Sequence, residues 1–277
     1  MNALQSMIML VFLGLGILVN ANQSLAQQDA SVIGAKSIGM GQISTVLKND
    51  VWSVYNQIGA IATLPQRQIG IAYENKYQLF EFQTFALVAS TPLKVGALGI
   101  SISRFGNSLY NEQKLGIGYG HRIEKVSLGI KLNYLQIQVQ DMGSAQQLVG
   151  EIGGLAEITP QLFWGAYIYN FNLAKITGEY ETIALPVVLR TGIGYQPLKS
   201  LLIAAEVERN LQQNTSIKWG VEYQLSKAFL LRTGIHTEPF LGHLGMGFRN
   251  DAVHFDYAIS LHERLGFSHQ ISAHYKF

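Results

Sequence analysis

Segment after segment of this chain alternates apolar and polar residues with a period of two. That pattern constrains the fold more than any other feature. In 126–134, Val126, Leu128, Ile130, Leu132 and Tyr134 alternate with Ser127, Gly129, Lys131 and Asn133. In 217–225, Ile217, Trp219, Val221, Tyr223 and Leu225 alternate with Lys218, Gly220, Glu222 and Gln224. In 253–261, Val253, Phe255, Tyr257, Ile259 and Leu261 alternate with His254, Asp256, Ala258 and Ser260. Successive side chains of a strand point to opposite faces, so each segment has one apolar face and one of Gly, Ser, Gln or charge. Fourteen strands are expected, over 68–75, 81–91, 94–105, 110–122, 125–140, 145–158, 161–171, 184–196, 200–209, 214–225, 228–237, 240–250, 252–262 and 266–277. Several connections read as tight turns, with longer loops near 140–145 and 171–183.

A soluble sandwich would turn the apolar faces inward, whereas a transmembrane barrel turns them to lipid. Most segments reach the 9–11 residues or so that a tilted strand needs to cross a bilayer, and fourteen is an even number, as in bacterial barrels. The fold class is therefore all-β, a transmembrane outer-membrane barrel of fourteen antiparallel strands spanning 67–277. Composition agrees. Charged residues make up 14% of the chain, against roughly 25% in soluble domains. With 20 Lys and Arg against 18 Asp and Glu, there is no basic excess for nucleic acid. The absence of cysteine removes thiol chemistry and Cys-ligated zinc.

The apolar run Met7–Ala21, followed by Ser24-Leu25-Ala26, reads as a signal peptide over 1–26. It places the rest of the chain in the outer membrane of a Gram-negative cell. Residues 27–66 do not alternate. Their Trp, Tyr and Met content argues against disorder, and a segment lying upstream of a closed barrel is expected to fold into the lumen as a plug. Asp50 is expected to cap a short helix ending near Gly59. In the last strand, Phe277, Tyr275, Ala273, Ile271 and Phe267 share one face. The terminal Phe277 with Tyr275 resembles the signal read by the outer-membrane barrel assembly machinery, the partner this implies alongside outer-membrane lipid.

The plug motif carries a resemblance. Gly34-Ala35-Lys36-Ser37-Ile38-Gly39-Met40-Gly41, then Asp50, Trp52, Asn56 and Gly59, resembles the opening of the PorV/PorQ family of FadL-like barrels found in Bacteroidota. Lys36 replaces the usual Arg, Gln42 follows Gly41, and Gln57-Ile58 replaces Pro-Ala. Asp256-Tyr257-Ala258, His262 and Leu265-Gly266-Phe267-Ser268-His269 are similar to that family's closing strands. The resemblance implies a plugged fourteen-stranded barrel that serves as an accessory or attachment subunit in type IX-like protein secretion, with secretion-machinery subunits as partners. The wider FadL-like likeness implies an alternative, passive transport of a hydrophobic small molecule. The short chain leaves little room for large loops to carry either cargo or substrate.

Phase places Arg190, Glu206, Glu208, Lys218, Glu222, Arg232, Arg249 and Asp256 on the lumen side, with His236, His243, His254, His262 and His274. Buried charges must be paired, and the mixed signs suit a neutralising network that packs against the plug. Asp256 is a candidate to hold the plug through Lys36 or a backbone N–H. No H-x-x-x-H spacing points to a metal, and no cofactor is expected. Ser268 and His269 are adjacent and so face opposite ways. With no G-x-S-x-G elbow present, no enzyme is expected.

Overall fold

The computed structural model describes residues 31–177 and 182–277. The signal-peptide expectation falls on residues 1–26, outside the described residues. Fourteen strands close into one antiparallel barrel. They are β1 (Gln68–Asn75), β2 (Gln83–Pro92), β3 (Ala97–Gly106), β4 (Tyr110–Ile123), β5 (Val126–Val139), β6 (Gly143–Glu157) and β7 (Leu162–Tyr169), followed, after an outlying hairpin, by β10 (Val188–Leu198), β11 (Leu201–Asn210), β12 (Thr215–Gln224), β13 (Phe229–Thr237), β14 (Phe240–Arg249), β15 (Val253–His262) and β16 (Gly266–Lys276). The hairpin, β8 (Lys175–Thr177) and β9 (Thr182–Ala184), lies outside the ladder within the 170–187 connection. Each barrel strand pairs with its neighbour, and β1 closes on β16 from Gln68↔Lys276 to Asn75↔His269. All fourteen expected strands are present. The loop expected near 140–145 is instead the tight turn 140–142, because β5 and β6 run on past the neighbouring strands.

Burial is inverted relative to a soluble protein. On β5, Val126, Leu128, Ile130, Leu132 and Tyr134 are 40–59% exposed, while Ser127, Lys131 and Asn133 are at most 2% exposed. An apolar outer belt around a polar, charged interior fits lipid outside and fails for water outside. Among the described residues no helix is long and apolar enough to cross a membrane, so the crossing is made by strands. At one rim the connections run two to four residues, and β1 begins and β16 ends there; the opposite rim carries 76–82 and 170–187. Short turns face the periplasm in such barrels, which assigns the first rim to that side.

Residues 31–66 run inside the barrel. Helical turns at Ala35–Gly39 and Ser53–Asn56 and a 3-10 turn at Ile58–Thr63 leave apolar side chains to pack on small wall residues. Ile33, Val51, Trp52, Val54, Ile58 and Ile61 bury themselves against Ala72, Ala86, Val88 and Ala97. Met40, Ile43, Val46 and Leu47 do so against Ala204 on the other side. Each such side chain contributes about 1.5–3 kcal/mol over leaving it exposed. Asp50 stands at the start of the turn that runs into Ser53–Asn56: its Oδ1 accepts the Trp52 N–H at 3.1 Å and its carbonyl accepts the Ser53 N–H at 3.0 Å. Gly59 lies within the 3-10 turn rather than at a helix end.

The wall admits this segment because it lacks side chains where the two backbones meet. A Cβ on Gly165 of β7 would sit 2.1 Å from the Thr45 carbonyl oxygen, and one on Gly234 of β13 would sit 2.2 Å from the Gly41 nitrogen. Gly165→Val is expected to push the segment off the wall and cost roughly 1–3 kcal/mol, as overpacking does. The check is a lowered urea midpoint in detergent, compared with Gly242→Ala, whose added Cβ meets nothing within 4 Å.

Candidate functional site

The lumenal segment starts from its own folding. Asn56 grips Ile33 twice: the Ile33 N–H donates to Asn56 Oδ1 at 3.0 Å, and Asn56 Nδ2 donates to the Ile33 carbonyl at 2.6 Å. Gly34 follows with a positive φ of 108° and stacks its backbone on Trp52. The Ser37 carbonyl accepts from the Met40 and Gln42 N–H groups. Met40 is fully buried, and Gly41 turns with φ 74° against β12 and β13. Gly39 and Gly59 meet wall backbone at Gly245 and Gly153. All twelve residues of the motif 34–59 singled out above thus lie within this folded segment.

The polar residues of β10–β15 meet as direct cross-strand neighbours. Arg190 opposes Glu208, Glu206 opposes Lys218, and Glu222 opposes Arg232. Arg190 Nε donates to Glu208. Lys218 Nζ lies 3.1 Å from Glu206 and 2.8 Å from Glu208, and Arg232 Nε lies 2.6 Å from Glu222. Arg232 also reaches over β14 to Asp256, at 2.7 Å. That span is open because β14 carries Gly247 there, where a Cβ would fall 2.5 Å from Asp256 Oδ1.

Several polar contacts tie the barrel wall to the segment. Glu206 Oε2 accepts the Ser44 and Thr45 N–H groups at 2.9 and 2.8 Å and the Thr45 hydroxyl at 2.8 Å. Lys36 pairs with Glu222 at 3.7 Å, and the Ala35 N–H donates to Ser272 Oγ at 3.0 Å. Asp256 therefore does not hold the segment. Its carboxylate is taken by Arg232, and Lys36 goes to Glu222 instead. Burial pushes the Asp50 carboxyl above its ordinary range, with Lys36 pulling it back.

The histidines divide. His236 bonds Ser216 at 2.8 Å and His243 bonds Ser260 at 2.8 Å. His254 and His274 lie ring to ring at 4.3 Å near the periplasmic rim. His262 stands apart from the network. It sits at the opposite rim, where its Nδ1 accepts the Arg264 and Leu265 N–H groups of the tight β15–β16 turn. Tyr275 and Phe277 lie on the lipid side, 43% and 68% exposed, edge to face at 4.9 Å.

A second polar cluster lies across the lumen on β4–β7 and was not singled out from the sequence. Lys131 opposes Glu151 and pairs with it at 3.5 Å, and Asn133 Nδ2 donates to Glu151 at 2.7 Å. Lys114 and Lys131 lie over the Tyr55 ring at 5.2 and 4.9 Å. The signal was present, since Lys131 and Asn133 stand in the polar row of 126–134. Gln57 was also missed. Its amide nitrogen donates to the Gly154 and Ala166 carbonyls at 3.0 Å each, bridging β6 and β7. Proline, usual at this position in the resemblance above, has no such donor.

A hollow of about 470 Å³ opens on the membrane-facing wall of β12–β15. Tyr223, Leu231, Leu244, Met246, Tyr257 and Ile259 line it, and Gly245 with Arg232 forms its floor. A separate cavity of about 400 Å³, lined by many polar and charged residues together with Val46, Pro65, Phe163, Leu201, Leu202 and Leu230, opens beneath the segment at the periplasmic rim.

No family model and no curated protein matches the chain. Solved structures do match in fold. The Ralstonia pickettii toluene transporter TbuX aligns with TM-score 0.66 at 12% identity, over 89% of this chain and 98% of that one. The CymD monoaromatic hydrocarbon channel aligns with TM-score 0.67 at 13% identity, over 90% and 98%. A Pseudomonas aeruginosa FadL homologue aligns with TM-score 0.64 at 11% identity, over 88% and 98%. The fold is that of the FadL-like outer-membrane barrels. The narrower PorV/PorQ likeness finds no support among these matches.

Glu206→Gln is expected to cost about 3–5 kcal/mol, because it leaves Lys218 without its full partner set in a buried site. Glu206→Gln/Lys218→Met is expected to recover most of that loss. Urea midpoints of the two variants in detergent check the order.

Proposed function

We propose that the protein is a passive outer-membrane transporter of small hydrophobic molecules. The observation that carries this reading is the apolar hollow over β14. Its floor is thin, because Gly245 has no side chain and a Cβ on Gly39 of the lumenal segment would fall 2.9 Å from the Gly245 Cα. One backbone separates the hollow from the segment, and the Arg232–Asp256 pair spans that backbone from behind. Its volume falls in the range of small-molecule sites, roughly 300–1,000 Å³. A small apolar solute gathered from the membrane phase fits such a surface. A shift of the segment and its Arg232 contacts would then open a route between the hollow and the lumen. The FadL-like fold supports the reading, since structures described as toluene and monoaromatic hydrocarbon transporters share it.

A second reading, an accessory or attachment subunit in type IX-like secretion, rests on the resemblance of the plug motif to PorV/PorQ. Exposed apolar residues at the outer rim, Phe80 at 78%, Met142 at 70% and Leu173 at 66%, favour it as a docking edge.

Uptake of radiolabelled toluene by cells expressing the protein tests the first reading. Uptake is expected to exceed the empty-vector rate, and Leu231→Trp/Ile259→Trp, which fills the hollow from the lipid side, is expected to cut the excess several-fold at equal barrel abundance. Uptake at the vector rate overturns transport. Stoichiometric co-purification of secretion-machinery subunits would promote the second reading.

A further inference from the structure

The cavity at the periplasmic rim is chemically unlike the hollow. Its cations are Lys36, Lys48, Arg232, Arg249, Lys276 and Lys199, and its carboxylates are Asp50, Glu222 and Asp256. Most of these charges are already engaged. Arg232 joins Glu222 and Asp256, Lys36 joins Glu222, and Lys48 joins Glu157 at 3.6 Å. Arg249 and Lys276 have no carboxylate within ion-pair distance among the described residues. The Arg249 side chain makes a long hydrogen bond from its Nε to the Lys227 carbonyl, at 3.4 Å.

The register brings these free donors together. Arg249 of β14 opposes His254 of β15, and His254 opposes His274 of β16. Lys276 lies two residues beyond His274 on the same face and opposes Gln68. A guanidinium, two imidazoles and an ammonium therefore line one quadrant of the cavity. A second observation points independently to a ligand. His274 is only 7% exposed and lines the cavity, yet neither of its buried ring nitrogens has a hydrogen-bond partner among the described residues. Gln68, 2% exposed and also part of the lining, has a buried Oε1 with no partner among the described residues. Buried polar atoms are nearly always satisfied, so a quadrant with this many unused groups has the character of a binding site.

We infer that this quadrant binds a phosphate-type oxyanion from the periplasmic side, with Arg249 and Lys276 supplying charge and His254 and His274 supplying directed hydrogen bonds. A neutral imidazole offers one donor and one acceptor. Hydrogen phosphate or a phosphomonoester offers acceptor oxygens together with a hydroxyl donor and so meets both. The guanidinium fork matches two phosphate oxygens at once. Asp50, Glu222 and Asp256 border the same cavity, but its six cations outnumber these three carboxylates, which leaves it net positive. The same chemistry could come from free phosphate or from a phospholipid headgroup of the inner leaflet.

Isothermal titration calorimetry on the full chain in a non-ionic detergent, in phosphate-free buffer, tests this with two probes: inorganic phosphate, and dihexanoyl phosphatidate below its micelle concentration. Saturable one-to-one binding of either is expected. Arg249→Gln/Lys276→Gln is expected to weaken it by at least about tenfold. His274→Phe, which keeps ring bulk and removes both nitrogens, is expected to weaken it as well. Lys227→Gln, exposed on the same rim, is expected to leave it unchanged. Heat-modifiable gel mobility confirms that each variant is a folded barrel. Tighter binding of the phosphatidate assigns the site to a headgroup, and equal binding assigns it to free phosphate. No saturable binding of either probe, or binding that both site variants leave intact, overturns the inference. Because the readout is oxyanion binding, its failure leaves the uptake reading untouched, and a failed uptake assay leaves this one untouched.

Discussion

The carboxylate of Glu206 is the point on which the interior is organised. It is 1% exposed, and a buried carboxylate persists only when its oxygens are matched by donors. One oxygen takes Lys218 from the neighbouring strand, and the other takes two backbone N–H groups and a hydroxyl from residues 44 and 45. The same side chain therefore fixes the β11–β12 register and pins the lumenal segment to the wall. Removing the segment would strand that carboxylate beside Glu208. Removing the wall lysine would leave the segment tied to an unneutralised charge. The other cross-strand pairs, Lys131–Glu151 and Glu222–Arg232, repeat the logic around the lumen. A slip of one residue would turn these charges into lipid, so they specify register far more sharply than the apolar outer belt does.

The two cavities follow from where this pairing leaves the wall bare. Arg232 needs Asp256, two strands away, and reaches it only because β14 carries glycine on its inner face. The same glycines thin the wall over which the apolar hollow lies. Toward the periplasm the strands end, the pairs run out, and Arg249, His254, His274 and Lys276 remain with little to hold. The hollow and the rim cavity thus differ in chemistry for one reason: the first borders a satisfied network and the second lies where that network stops.

How much of this was legible in the sequence depends on the range of the signal. The period of two is local, so all fourteen strands and their inward faces could be read directly, as could the pairing potential of the β10–β15 charges. Partner choice was less accessible. Asp256 and Lys36 look like natural partners in one dimension, and only the three-dimensional register shows Arg232 and Glu222 intervening. Phase alone placed His262 inside, but a side chain at the last residue of a strand answers to the turn that follows it. Lys131, Asn133 and Glu151 stood in plain alternation, yet their tie to Tyr55 spans more than seventy residues and leaves no local trace. Gln57 is a further case: read as a departure from a familiar pattern, it bridges two strands with a donor that the pattern's proline lacks.

The bond from the Ala35 N–H to Ser272 joins nearly the first described residue to the last strand of the barrel. β1 follows directly from the lumenal segment and closes against β16, which carries that serine. The seam of the cylinder and the docking of its contents are thereby completed by one strand. A barrel that zipped shut without its lumenal segment would present β16 with an unmatched serine hydroxyl and Glu206 with no backbone donors. A segment threaded after closure would have to pass a rim already drawn tight by two- to four-residue turns. The segment precedes the barrel in the chain, and β16 is the strand that both closes the wall against β1 and carries the serine that meets the segment.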